Sequence, residues 1–249
     1  MDLGIAGRTA IVCASSDGLG FASARSLAKA GCTVVMNGRR PDVLEAAAKR
    51  VREETGMRVE AVVADVSTTE GRALLTSACP APDILVTNAG GPPKKDFREL
   101  SPEDWSQALN ANMLSAIALI THYVDGMIAR KFGRIVNVTS MTSVRPFTNL
   151  DLSNAVRLGL TGFVAGVSRQ VAGHNVTINN LLPGSFATAR ARALADATAT
   201  EQLIKTIPAG RFGEPDEFGD TCAFLCSVSA AYIVGQNILI DGGYCARTL

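Results

Sequence analysis

The sequence lacks an excess of charge of either sign: 24 Lys plus Arg stand against 23 Asp plus Glu, for a formal net charge of +1. Without a broad basic field the chain has nothing to hold nucleic acid or an anionic membrane surface, so any anion binding must be local. Histidine is nearly missing, with only His122 and His174. The six cysteines (Cys13, Cys32, Cys79, Cys222, Cys226, Cys245) show no CxxC spacing and sit mostly among apolar neighbours. Cys222 and Cys226 fall four apart, on one face of a helix, but with so few histidines to join them they read as small buried hydrophobes, and no metal is expected. Long apolar runs are also absent: the longest are about strand length or one helix face, which excludes a transmembrane helix. No cationic leader opens the chain. The expectation is a soluble protein of the reduced cytoplasm.

What is present is a regular alternation. With 249 residues, 47% of them hydrophobic, the chain suffices for one domain with a generous core, read as residues 1–249. Strand-like apolar runs occur at 9–13, 33–36, 59–63, 84–87, 134–138, 176–181 and 237–240. Helix-length amphipathic segments at 21–30, 41–55, 101–130 and 153–172 separate several of them. This order predicts an α/β, Rossmann-type doubly wound parallel sheet of about seven strands with helices on both faces. Ser101-Pro102-Glu103-Asp104 supplies a helix cap, a proline at the first helical position and acids in the first turn. No internal repeat or low-complexity linker interrupts the pattern. The Ala-rich, Arg-studded stretch at 185–212 reads as a substrate lid over the carboxyl edge of the sheet.

Directly after the first strand stands Cys13-Ala14-Ser15-Ser16-Asp17-Gly18-Leu19-Gly20, followed by a helix. A glycine-rich strand-to-helix turn lets backbone N–H groups approach a pyrophosphate at the positive end of the helix. The second strand ends in Asn37-Gly38-Arg39-Arg40, where a site for unphosphorylated NAD would usually place an acid for the ribose hydroxyls. Arg39 and Arg40, with Ser15 and Ser16 in the facing loop, instead suit a 2′-phosphate, so NADP(H) is the expected cofactor and NAD(H) the alternative. The bland alternative for the two arginines is a solvated helix start.

Taken with Asp65-Val66 after the third strand, Asn88-Ala89-Gly90 after the fourth, Asn112, Ser140, Pro183-Gly184 with Thr188, and Asp241-Gly242-Gly243, this loop makes the chain resemble the short-chain dehydrogenase/reductase family from about Gly7 to Gly243. Within the family it is similar to 3-oxoacyl-carrier-protein reductases. The resemblance implies an NAD(P)-dependent oxidoreductase acting on a small carbonyl or secondary alcohol. It also implies that Asp65 and Val66 flank the adenine, that Asn88, Ala89 and Gly90 support the ribose and the sheet, and that Phe186 and Thr188 meet the nicotinamide carboxamide. A homotetramer or dimer, built through the last helix and strand, is implied in the same way.

Two departures follow. Where the family has Thr-Gly in the phosphate loop this chain has Cys13-Ala14, which adds a methyl where glycine normally frees the turn. More consequential, the family's catalytic tyrosine, followed four residues later by lysine, is missing: no Tyr-x-x-x-Lys occurs. Ser153 lies thirteen residues after Ser140, the usual separation, and Arg157-Leu158-Gly159-Leu160-Thr161-Gly162 matches the helix that normally starts with the lysine. Both counts select Ser153 and Arg157. A competing register, Leu150 with Asn154, needs a deletion and an insertion.

A serine hydroxyl is a far weaker acid than a phenol and shorter by a ring, while an arginine keeps its charge but relays protons poorly. The expected catalytic set is therefore Asn112, Ser140, Ser153 and Arg157, with a water as proton source. Arg157 also holds the nicotinamide ribose. Tyr123, Tyr232 and Tyr244 all fall away from the expected place. Lys94, Lys95, Arg145 and Asp151 read as solvated loop charges, although Arg145, Arg190 and Arg192 together favour an anionic substrate. The alternative to an enzyme is a non-catalytic NADP(H)-binding sensor or partner subunit.

Overall fold

The computed structural model describes residues 2–189 and 197–246. In chain order the elements are β1 (Thr9–Val12), α1 (Gly18–Lys29), β2 (Thr33–Gly38), α2 (Pro41–Thr55), β3 (Val59–Val63), α3 (Thr69–Ala78), β4 (Ile84–Thr87), α4 (Pro102–Leu109), α5 (Ser115–Ala129), β5 (Gly133–Val138), α6 (Asp151–Val171), β6 (Val176–Pro183), α7 (Ala197–Lys205), α8 (Pro215–Leu225) and β7 (Asn237–Ile240). The strands form one parallel sheet in the order β3-β2-β1-β4-β5-β6-β7.

Both faces of that sheet are covered, which is why its central strands read as continuous apolar runs. Alternate residues go to opposite layers: Ala10, Val12, Ile84, Val86 and Val136 meet α1, α2 and α8 through Leu27, Leu44 and Phe218. Ile11, Leu85 and Ile135 meet α3, α5 and α6 through Leu75, Leu119, Leu160 and Val164 on the other side. Cys222 and Cys226 are fully buried in the first layer, and among the described residues no group of three or more metal-ligating side chains is gathered. No helix among them is long and apolar enough to cross a membrane.

The winding reverses between β1 and β4, which opens a crevice at the carboxyl ends of the strands. A polar row crosses the sheet near that edge. Thr87, Asn137, Asn180 and Asn237 are register partners on β4 to β7. The Thr87 hydroxyl donates to Asn137 Oδ1 at 2.6 Å, Asn137 Nδ2 to Asn180 Oδ1 at 3.0 Å, and Asn180 Nδ2 to Asn237 Oδ1 at 2.8 Å. Every donor points toward β7, so the row spends its buried polar groups on one another.

Two features depart from the sequence reading. The long helix expected over 101–130 is interrupted: α4 and α5 are joined by a π turn at Asn110–Leu114, which places one extra residue in the helical ladder. Helix α3 buries only Gly71 and Leu75, too few apolar positions to produce a periodic signal. The expected lid at 185–212 is described only in part. It contains α7, while 190–196, with Arg190 and Arg192, lie outside the described residues.

Candidate active site

The phosphate loop turns on a strained residue. Ala14 has φ of 45°, in the left-handed region that a side chain disfavours, so the missing glycine is felt as backbone strain. What fixes the turn is close packing behind it. A Cβ on Gly20 would lie 2.2 Å from Ala14 O and 2.8 Å from Asn88 Nδ2, and that Asn88 amide donates to Ala14 O at 3.2 Å. Only glycine permits the helix to sit so close to its own loop. Asp17 caps α1 by accepting from Gly18 N at 2.7 Å. The first-turn amides of Leu19 and Gly20 have no partner carbonyl earlier in the helix and remain the natural anion donors.

Ser15 requires a correction. It is fully buried, its hydroxyl donating to Val12 O at 2.8 Å and accepting from Asn37 N at 3.0 Å, so it frames the loop and offers nothing to a 2′-phosphate. Ser16 lies on the groove side, near Gly38, with Arg39 and Arg40 beside it. Arg39 is largely exposed, and its Nη1 stands 3.7 Å from Asp65 Oδ2. Burial alone would raise the Asp65 carboxyl. Hydrogen bonds from the Ser67 hydroxyl and amide, with the Arg39 charge, outweigh it and hold the group below its usual range.

These residues line a groove of about 900 Å³ that runs from Arg39, Arg40, Asp65 and Val66, past Ala14, Asp17, Gly18 and Leu19, to Asn88, Ala89, Gly90, Asn112 and Thr188. Thr188 arches over the start of α1: a Cβ on Gly18 would meet its methyl at 3.5 Å. Phe186 does not face this groove. Its ring is buried edge-on against Phe218 at 5.6 Å, so the side chain is core and the expected carboxamide contact falls to its backbone alone. Pro183 ends β6 and Gly184 packs against Asp241, both in the β6–β7 junction.

At the carboxyl end of β5 the remaining residues converge. Ser140 caps a short turn, its hydroxyl accepting from Thr142 N at 3.2 Å. Ser153 and Arg157 stand one turn apart on the same face of α6 and are 8% and 6% exposed. The Ser153 hydroxyl shares a 3.2 Å hydrogen bond with that of Thr142, and Arg157 Nη1 donates to Val138 O at 2.6 Å. Thr142 is the participant that sequence reasoning missed. Its signal was a second hydroxyl two places after Ser140, indistinguishable from an ordinary loop threonine. Asn154, of the competing register, is turned away and brackets Phe147, donating to its carbonyl at 2.9 Å and accepting from its amide at 3.2 Å. Asn112, in the π turn, is 4% exposed and its Oδ1 has no hydrogen-bond partner among the described residues.

The flanking charges are mostly committed. Lys95 Nζ pairs with Asp104 at 2.8 Å, while Arg145 donates to Tyr244 O at 3.1 Å and lies over the Tyr244 ring. Lys94 is exposed, and Asp151 sits in the first turn of α6, where its charge suits the helix end.

Comparison with known proteins agrees with this architecture. The Enoyl-(Acyl carrier protein) reductase family profile matches residues 13–245. A 3-oxoacyl-[acyl-carrier-protein] reductase of Aquifex aeolicus is 30% identical over 247 residues, covering 98% of this chain and 99% of that one. An acetoacetyl-CoA reductase of Shinella zoogloeoides is 34% identical, covering 95% and 98%. Among solved structures, YwfH, an NADPH-dependent reductase involved in bacilysin biosynthesis, superimposes with a TM-score of 0.93 at 30% identity over 98% of this chain and all of that one. L-sorbose reductase of Gluconobacter frateurii, complexed with NADPH and L-sorbose, gives 0.93 at 31% identity over the full length of both. The chain belongs to the short-chain dehydrogenase/reductase family of NAD(P)-dependent oxidoreductases, among members similar to 3-oxoacyl-carrier-protein reductase.

Proposed function

We propose that the chain is an NADP(H)-dependent reductase of a small carbonyl compound, able also to oxidise the corresponding secondary alcohol, with an atypical proton supply. The observation that carries this reading is a groove with a cationic, hydroxyl-bearing end at Ser16, Arg39 and Arg40 and with Asn112 in its lining, together with the hydroxyls and charge of Ser140, Ser153 and Arg157 gathered at the carboxyl end of β5. Relatives of known structure hold NADPH or NADP, and the groove fits a dinucleotide on its own terms. Gly20 lets α1 sit close against its own loop, and the charges of Arg39 and Arg40 beside the Ser16 hydroxyl suit a 2′-phosphate. In that reading the α1 amides hold the pyrophosphate, Asp65 and Val66 flank the adenine, Asn88, Ala89 and Gly90 support the ribose, and Thr188 closes over the nicotinamide side. When bound, the nicotinamide supplies or accepts the hydride.

The chain's own residues set the rest. Arg157 places a fixed positive charge where oxygen develops negative charge, and Ser140 and Ser153 orient the oxygen with a bound water that gives the proton. Asn112, with its unmatched Oδ1, holds a further water behind them. Ser153→Ala should slow single-turnover hydride transfer about 10-fold or more, with NADPH affinity by fluorescence titration unchanged; an unaltered rate would remove Ser153 from the site. Arg39→Ala should weaken NADPH binding about 10-fold and NADH binding little, and equal losses would reject the 2′-phosphate role.

A further inference from the structure

A threonine in a helix or turn usually spends its hydroxyl on the backbone just behind it. Thr55, Thr68, Thr76, Thr161, Thr206 and Thr221 do so here, each donating to a carbonyl three or four residues earlier. Thr142 does not. It is 5% exposed, in the short turn Met141–Ser143, and its hydroxyl meets that of Ser153 at 3.2 Å, eleven residues further along the chain. Its amide donates to Ser140 Oγ, also at 3.2 Å. Thr142 therefore touches both of the serine hydroxyls assigned above to the substrate oxygen.

The turn that carries it is fixed. Ser143 N donates to Ser140 O at 3.1 Å, and Val144 N and Arg145 N both donate to Met141 O at 3.0 Å. The side chain is stiff as well, because a β-branched residue has few χ1 choices. Hydrogen counting then sets what the contacts can do. A hydroxyl oxygen that accepts an N–H bond keeps its own hydrogen for another acceptor, so the Thr142 amide leaves the Ser140 O–H to the substrate. In the pair with Ser153 only one hydroxyl donates at a time. When Thr142 donates, the Ser153 hydrogen can turn to an oxygen that gains negative charge; when Thr142 accepts, that hydrogen is spent inside the protein.

Resting on the hydride-transfer reading above, we propose that Thr142 is a positioning residue of that reaction: its hydroxyl donates to Ser153 Oγ and its amide to Ser140 Oγ, which leaves both serine hydrogens for the substrate oxygen as charge develops there. No bond to Thr142 is made or broken. The same contact serves alcohol oxidation with donor and acceptor exchanged, Ser153 then accepting from the alcohol and donating to Thr142.

The test measures single-turnover hydride transfer from NADPH to ethyl acetoacetate and to butane-2,3-dione. It compares the wild type with Thr142→Val, Thr142→Ser, Ser153→Ala and the Thr142→Val/Ser153→Ala double variant. Thr142→Val keeps the side-chain shape and removes the hydroxyl, and should slow transfer about 10-fold, with NADPH affinity by fluorescence titration unchanged. Thr142→Ser should recover most of that loss. In the Ser153→Ala background, Thr142→Val should cost less than about 2-fold more, because the hydroxyl it orients is gone. A threonine that only held the turn together would give the same fold loss with and without Ser153. Thr142→Ala carries the same comparison if Thr142→Val does not fold. Equal losses in the two backgrounds, a wild-type rate in Thr142→Val, or a Thr142→Ser protein as slow as Thr142→Val overturns the proposal and leaves the oxidoreductase reading standing. No transfer to either probe by the wild type, with NADPH bound stoichiometrically, overturns both.

Discussion

At the residue scale the most informative position is Ala14, because one methyl separates this loop from the one its family uses. The substitution was legible in the sequence, but its cost was not, since a left-handed φ belongs to the folded turn and not to any local residue pattern. An alanine in that conformation is disfavoured by about 1 kcal/mol relative to glycine, even after glycine's larger loss of chain entropy. Ala14→Gly should therefore raise the free energy of unfolding by about 0.5–1 kcal/mol, measured by urea denaturation. A loss of stability would mean that the methyl makes packing contacts that outweigh the strain. Ser15 and Phe186 teach the complementary lesson. Sequence position put both beside the cofactor, and the fold turned the Ser15 hydroxyl into the β1–β2 junction and the Phe186 ring onto Phe218.

Among elements, legibility followed burial. The central strands could be read because both faces are covered and each demands apolar residues, while the edge strands β3 and β7 are largely half-buried. Strand β2 runs past its apolar core to Gly38 only because Asn37 is bound from outside, its Nδ2 donating to Val62 O and Ala64 O at 3.0 Å each. The π turn at Asn110–Leu114 left no such trace, since an extra residue in a hydrogen-bond ladder does not alter which residues are apolar. The polar row on β4 to β7 was equally silent: four separate residues in four strands become one feature only through register. It carries a sharp expectation. Asn137→Val leaves the Thr87 hydroxyl and Asn180 Oδ1 buried without their partners, which should cost about 2–4 kcal/mol of stability. Asn237→Val, at the exposed end of the row, should cost less than about 1 kcal/mol. Equal costs in urea denaturation would show that the row is not coupled through its centre.

For the whole molecule, pH sets the limits of stability from both sides. The Arg211 guanidinium grips the Glu217 carboxylate through two hydrogen bonds of 2.8 and 2.7 Å, which, with the Glu214 amide, hold its pKa down to about 2 from 4.5. Asp65, Glu54 and Asp104 are lowered too. A depressed carboxyl favours the folded state above its unfolded pKa and loses that contribution as pH falls through the folded value, so the acid limb should lie between about 4.5 and 2. Glu217 is half exposed, and solvent screening makes its share modest. The alkaline limb has the opposite origin. Burial raises Cys13 and Cys32 from 9.0 to about 12, so the unfolded thiols ionise first and stability declines between those values. Urea unfolding across pH should thus give a plateau from about 5 to 9 with a fall on each side. Glu217→Gln should make the acid limb shallower by that modest share and leave the alkaline one unchanged. A stability that rose from pH 9 to 11 would contradict the role assigned to the buried thiols.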